Sequence, residues 1–280
     1  MSQTQIEHAP SAWNTSVAWI HFLKKTIYGL VQVISALLIP VAVLGLWYLA
    51  TAYQWLPEQI LPSPQLVALT TVELWQSGEL SFHFQISAVR IFWSVLIGGT
   101  VGLSLGVWLG LMQRSRDYVF PSVQLIAQFP IVGWIPLLMI FLGIDEALKI
   151  AAISLAVFAP VLIATYRSIL NVPRHLLEVA EVYQFSAWQK FQRVIIPAAF
   201  PSVIGGLRQG VMQAWLALVF VELLASSEGI GFLMVWGRQL MQLDLVFMGI
   251  ILIGLTGYVL DSILAKAEQY SRYLQSRRKE

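Results

Sequence analysis

Six stretches of the chain, roughly residues 28–51, 87–112, 119–142, 148–168, 198–224 and 245–265, are apolar for long enough to cross a bilayer as helices. A helix needs about 20 mostly apolar residues to traverse the hydrocarbon core. Runs of this kind leave little choice of architecture: an all-α membrane protein with six transmembrane helices. Composition agrees. Hydrophobic residues make up 58% of the chain and charged ones 11%, against about 25% charged in soluble domains. The lack of cysteine excludes disulfides, thiolate chemistry and Cys-ligated metals. A net charge of +2 gives no reason to expect nucleic acid as a partner.

Residues 1–23 are mixed and partly polar, and Lys24 and Lys25 precede an apolar run far longer than a signal peptide's roughly 7–15 residues. The first span is therefore expected to stay in place. Lys and Arg set orientation. With the N-terminus in the cytoplasm, the inner side collects Lys24, Lys25, Arg114, Arg116, Arg167, Arg174, Lys190, Arg193, Lys266, Arg272, Arg277, Arg278 and Lys279. The outer side holds Arg90, Lys149 and Arg238. The expected layout is N-in and C-in. A cytoplasmic segment, 1–27, leads into a membrane domain, 28–268, with a cytoplasmic elbow at 173–197, and a basic cytoplasmic tail, 269–280, follows.

Within the spans, Pro130 and Pro136 interrupt the third and Pro160 the fourth. Prolines kink helices and free backbone carbonyls, which suits either ordinary bundle packing or helices shaped to border a pathway. In IGGTVGLSLGVWLG, Gly98, Gly102, Gly106 and Gly110 recur every fourth residue. Such a stripe on one helix face predicts close packing against another helix. PSPQL at 62–66 predicts an extended outer connection, with a short amphipathic surface helix over 67–80.

The stretch LEVAEVYQFSAWQKFQRVIIP, residues 177–197, is polar and amphipathic between two apolar regions. Val179, Val182, Tyr183, Ala187, Phe191, Val194 and Ile195 recur at three- and four-residue spacing, with charged and amide side chains opposite. Ser186 and Gln189 make a capping-box pattern that predicts a second short helix. Pro173 suits the start of the first helix, and Pro197 marks the beginning of the fifth span. By itself, this pattern fits a membrane-hugging helix as well as a surface offered to another protein.

Residues 178–197 resemble the cytoplasmic signature of ABC importer permeases: Glu-Ala-Ala, three residues, Gly, nine residues, Ile-x-Leu-Pro. Glu178, Val179 and Ala180 stand at its start, and Val194, Ile196 and Pro197 at its end, with matching spacing. The likeness widens to EVAEVYQFSAWQKFQRVIIPAAFPSVIGGLRQG, AWLALVFVELLASSEGIGFLM, FPIVGWIPLLMIFLGI and SAVRIFWSVLIGG. Across roughly 35–270 the chain resembles the branch serving sulfonates, taurine, nitrate and related small anions. The signature glycine falls on Gln184. If the elbow needs a left-handed backbone there, a non-glycine residue costs about 1–2 kcal/mol.

The resemblance implies the type I importer permease fold in a bacterial inner membrane. It also implies a homodimer of permeases, two copies of an ATPase subunit and an external solute-binding protein. ATP and Mg²⁺ would bind the ATPase, since this sequence carries no GxxxxGK[ST] phosphate loop. Glu178, Val179, Ala180, Glu181, Gln184, Ser186, Trp188, Lys190 and Pro197 are then the coupling candidates. The implied cargo is a small sulfonate such as taurine or an alkanesulfonate. Nitrate, bicarbonate, cyanate and aromatic acids are the alternatives.

Path candidates are Gln128, Trp134, Arg208, Gln213, Trp215 and Glu222. A carboxylate deep in the fifth span is expensive unless paired or facing water. Glu222 therefore reads either as a gate or as a structural partner of backbone or Ser226. It has no ionisable partner close in sequence. Arg208, with Gln209 and Gln213 nearby, reads either as a counter-charge for a passing anion or as a side chain snorkelling to the interface. Trp134 and Trp215 read as cavity lining or as packing. Asp261 is expected to pair or cap near the membrane interface. No residues have metal-ligand spacing, and no nucleophile–base pair suggests a membrane enzyme. A secondary transporter would call for inverted repeats and paired intramembrane charges; the sequence has no evident internal repeat.

Overall fold

The computed structural model describes Ser35 and residues 38–277. The chain divides into two units, Met1–Pro64 and Gln65–Glu280. In the first, helix α1, Leu38–Ala52, is apolar but shorter than a full crossing. The indole N–H of Trp47 donates to the Pro62 carbonyl at 3.0 Å and pins the following loop. The rest of the expected first span, 28–37, lies outside the described residues except for Ser35.

The described residues of the second unit are helical apart from short connections. Its helices are α2 (Pro64–Gln76), α3 (Glu79–Leu111), α4 (Gln113–Ala127), α5 (Ile131–Leu142), α6 (Glu146–Leu170), α7 (Arg174–Val182), α8 (Ala187–Lys190), α9 (Ile196–Ala225), α10 (Ile230–Gln239) and α11 (Leu243–Arg277). A π-helical turn, Phe191–Ile195, joins α8 to α9. Among the described residues, four helical stretches are long and apolar enough to cross a membrane: Glu79–Leu111, Glu146–Leu170, Ala187–Gln239 and Leu243–Leu274. α4 and α5 make a fifth only as a pair bent by 97°. The bend sits at Pro130, which has no N–H to continue the ladder.

Three boundaries depart from the sequence expectations. α4 starts at Gln113, so a single extended residue, Met112, replaces the expected loop 113–118. The expected loop 225–244 contains α10. The last helix runs on through 269–277 instead of ending near 265; Arg272 reaches back one turn to Glu268 at 2.7 Å. The expected surface helix over 67–80 is α2, ending before a left-handed Gly78.

α6 is the central helix. The stripe on α3 lies along it in parallel: Gly98 meets Ser154 and Val157, Gly102 meets Phe158 and Val161, Gly106 meets Leu162 and Thr165, and Gly110 meets Ile169. A Cβ on Gly102 would stand 2.7 Å from the Phe158 carbonyl, and one on Gly106 2.7 Å from the Thr165 Cβ. Absence of side chains at these positions is what lets the two backbones approach. α9 runs antiparallel on another side of α6, with Gly206 against Ala164 and Gly210 against Val161. Val157, Val161, Ala214, Leu218 and Val221 fill the seam in the core. α11 packs antiparallel on α9, so the starts of α3 and α6 and the end of α9 share one end of the bundle. The elbow α7–α8 lies at the other.

Candidate functional site

The elbow joins the end of α6 to the start of α9. α7 closes in a left-handed residue, Gln184, with φ of 52°. The Gln184 N–H donates to the Glu181 carbonyl and the Phe185 N–H to the Ala180 carbonyl, both at 2.9 Å. These are the two closing bonds of a Schellman motif, so Gln184 adopts the backbone that the signature glycine would favour. Ser186 then caps α8. Its Oγ accepts the Gln189 N–H at 3.3 Å, and Gln189 Oε1 accepts the Ser186 N–H at 2.9 Å. Lys190 Nζ reaches back to Glu181 Oε1 at 2.9 Å. The Arg193 guanidinium lies 5.8 Å from the Phe185 ring centre. Pro197 cannot donate to the Arg193 carbonyl and crowds it; the turn before it is the π-helical one.

This stiff elbow leaves apolar surface unburied. Val179, Val182, Tyr183 and Trp188 are exposed, Trp188 at 63%. Glu178, Glu181, Gln184 and Ser186 are exposed beside them, Lys190 and Pro197 are half-buried, and Ala180 is buried under α7.

Between the α4–α5 corner, α6, α9 and the last turns of α11 lies a cavity of about 930 Å³. α9 contributes Ser202, Gly205, Gln209, Gln213, Leu216 and Phe220, three and four residues apart and hence on one face. The bend at Pro130 adds Gln128. Arg167 and Ser168 on α6 and Asn171 just past its end, with Glu268 and Arg272 on α11, form the mouth on the elbow side.

Two ion clusters brace the bundle. At the end away from the elbow, Arg90 is 1% exposed. Its Nη1 donates to Glu222 Oε1 and to the Glu228 carbonyl, both at 2.8 Å. Its Nε and Nη2 hold Glu146 at 2.8 and 2.6 Å, and Lys149 joins Glu146 at 2.6 Å. Glu222, also 1% exposed, accepts from Ser87 at 2.7 Å and from the Gly231 N–H at 2.9 Å. Gly229 donates to His83 Nδ1 at 2.9 Å and Ile230 to Ser87 at 3.1 Å. The first amides of α10 are thus held by α3 and α9. Gly229, with φ of 107°, also leaves the space that the Glu222 carboxylate occupies. At the elbow end, Arg208 holds Asp261 through two bonds of 2.8 and 2.9 Å and Glu268 through one of 3.1 Å.

The structure separates the six path candidates. Gln128 and Gln213 line the cavity. Glu222 does not; it lies in the buried cluster, and Ser226 bonds the Glu228 carbonyl at 2.5 Å instead of Glu222. Arg208 is committed to carboxylates. Trp215 is packed in the core with its N–H on the Ile253 carbonyl at 3.2 Å. Half-buried Trp134 lies edge-on to Phe129, 6.2 Å between ring centres, away from the cavity lining. Sequence reasoning missed Arg90 as the partner of Glu222, 132 residues away. The available signal was a lone base near the start of one span and a lone acid near the end of another on the same membrane side. Asp261 pairs, as expected, and its partner is Arg208.

Comparison with known proteins places these features. The profile of a family described as binding-protein-dependent transport system inner membrane component matches residues 98–270. The putative aliphatic sulfonates transport permease protein SsuC of Bacillus subtilis (strain 168) is 37% identical over 235 residues, 84% of this chain and 85% of its own. The taurine transport system permease protein TauC of Escherichia coli (strain K12) is 29% identical over 223 residues, 78% of this chain and 81% of its own. A chain of the MetNI methionine ABC transporter in an inward-facing conformation superposes with a TM-score of 0.53 at 16% identity, covering 73% of this chain and 98% of that one. That likeness establishes a common fold.

Proposed function

The chain belongs to the family of binding-protein-dependent transport system inner membrane components, and from that premise we propose that it is the membrane subunit of an ATP-driven importer of small organosulfonates. The cargo is of the taurine or alkanesulfonate type, as the names of its relatives suggest. Two copies enclose the path, in a bacterial inner membrane with six spans each and both termini in the cytoplasm. Two ATPase subunits, which bind ATP and Mg²⁺, sit against the elbows, and a binding protein delivers cargo from outside.

One observation carries this reading: the elbow connects α6 and α9, two of the helices that wall the cavity. A push on a stiff elbow is passed to both walls at once. Because α6 is seated on the glycine stripe of α3, the movement is that of a packed body and not of a single helix. ATP binding draws the ATPases together, the elbows follow, and the cavity opens alternately to the two sides. Val182, Tyr183 and Trp188 give the ATPase an apolar patch ringed by Glu178 and Glu181. The test is co-purification with the ATPase, followed by taurine uptake in liposomes with and without ATP. Absence of a complex, with uptake indifferent to ATP, rules the reading out.

A further inference from the structure

We infer that Gln209 and Gln213 on α9, with Gln128 at the α4–α5 corner, are the groups that hold the sulfonate head in transit, and that they do so as neutral donors. This rests on the organosulfonate reading above.

A sulfonate stays charged at any physiological pH, so it cannot cross as a neutral acid. Something in the cavity must replace its water. The cations around it are taken or stand apart: Arg90 and Lys149, at the far end, are held by Glu146 and Glu222, Arg208 by Asp261 and Glu268, and Arg272 by Glu268, while Arg167 stands at the mouth on the elbow side and not beside the glutamines. By contrast, the three glutamine side chains line the cavity and have no hydrogen-bond partner among the described residues. Gln209 and Gln213 flank the midpoint of a 30-residue helix, about 6 Å apart along its axis. Unpaired amides at that depth are costly against hydrocarbon, so they belong to a wet, ligand-bearing face.

Each amide offers two N–H donors and a carbonyl acceptor. The donors suit sulfonate oxygens, and the carbonyl suits the ammonium group of a zwitterion such as taurine. Neutral donors bind an anion less tightly than a fixed cation does, and a transport site must release what it binds. On the same face of α9, the polar run stops at Gln213 and gives way to Leu216 and Phe220. The amide step thus adjoins an apolar collar.

The experiment uses the whole transporter in liposomes, with its ATPase and binding protein, and radiolabelled taurine and ethanesulfonate. Gln213→Leu removes the donors. Gln213→Glu keeps the shape and puts a like charge against the sulfonate. The same pair is made at Gln209. If the amides act as donors, uptake per ATP hydrolysed ranks wild type, then Leu, then Glu, with Glu at least about tenfold below wild type. If the residues only fill space, the near-isosteric Glu variants equal or exceed the Leu variants, and the inference is overturned. Size-exclusion profiles of the variant complexes separate loss of assembly from loss of passage, and only assembled complexes are ranked. A wild-type complex that imports no sulfonate sinks the cargo reading and this inference together. One that imports sulfonates with Glu at or above Leu sinks this inference alone.

Discussion

At the end of the bundle away from the elbow, Arg90 and Glu222 are each 1% exposed, and Arg90 holds two carboxylates and a carbonyl. At the elbow end, Arg208, Asp261 and Glu268 make a comparable set with side chains 31%, 39% and 15% exposed. Formal charge cancels in both once Lys149 is counted with the first and Arg272 with the second. What differs is access to water. The first cluster ties α3, α6, α9 and the start of α10 into one joint, dry at Arg90 and Glu222 and open to water at Glu146, whose side chain is 53% exposed. The second ties α9 to the last turns of α11 beside the cavity mouth, next to an elbow with exposed aromatics. One end is finished within the chain. The other leaves apolar and aromatic side chains exposed.

The sharpest way to break this contrast is at Glu222. Changing Glu222→Leu leaves the Arg90 guanidinium buried with one carboxylate fewer and strips a cap from α10. Removing one partner of a buried pair costs about 3–5 kcal/mol. The expected result is a large drop in the melting temperature of the purified chain in detergent, or failure to assemble. Adding Arg90→Met to the same chain removes the stranded charge and should recover much of the loss, because apolar replacement of a whole buried pair is often nearly neutral. If Glu222→Leu melts like wild type, the far end is not the joint described here.

At the elbow end the prediction inverts. Trp188→Ala removes an exposed ring whose ring contact among the described residues is a tilted one with Phe191, 5.8 Å between centres. Melting of the chain alone should not change. Affinity for the ATPase should fall by about 2 kcal/mol, roughly thirtyfold, as expected for a central aromatic anchor. A titration of labelled ATPase against the reconstituted permease reads this directly. Unchanged affinity would mean that the exposed patch is not where the ATPase docks.

Arg208→Gln tests the wet cluster. Its loss of stability should be much smaller than that of Glu222→Leu, since partly exposed pairs contribute little. The difference from wild type should also fade as salt is raised. Melting curves at low and high ionic strength check this. A salt-independent loss as large as that of Glu222→Leu would erase the distinction between the two ends.

Much of this was legible in the sequence for a physical reason. Lipid demands long apolar helices, so spans announce themselves, and Pro130 marks the place where one breaks. The glycine stripe and the Ser186–Gln189 cap are local patterns, readable without knowing the partner helix. What the sequence could not give was pairing across the fold. Arg90 and Glu222 meet because α3 and α9 flank the same end of α6, and nothing between them in sequence says so. α10 lies between two spans with no signal of its own, because its ten residues are too few to cross a membrane, although they are apolar enough to pack. Of the two readings of Trp215, lining or packing, the sequence leaves both open, because only the fold shows that its N–H finds the Ile253 carbonyl inside the core.

The smallest effect expected is at Gln184, and it bears on how stiff the elbow end is. Gln184 sits at φ of 52°, a conformation that costs a side-chain-bearing residue about 1–2 kcal/mol. Gln184→Gly relieves that cost but loosens the unfolded chain by about 0.4–1 kcal/mol. The net gain should lie between about 0 and 1.6 kcal/mol, and it is local. It should appear in hydrogen exchange of the Phe185 amide, which is held by the Ala180 carbonyl at 2.9 Å. Exchange should slow by a few fold in Gln184→Gly, and it should quicken in Gln184→Val, where the branched side chain resists positive φ. If glycine, glutamine and valine exchange alike, the left-handed turn is not what holds the elbow, and its stiffness must come from the Ser186 cap and the Glu181–Lys190 pair alone.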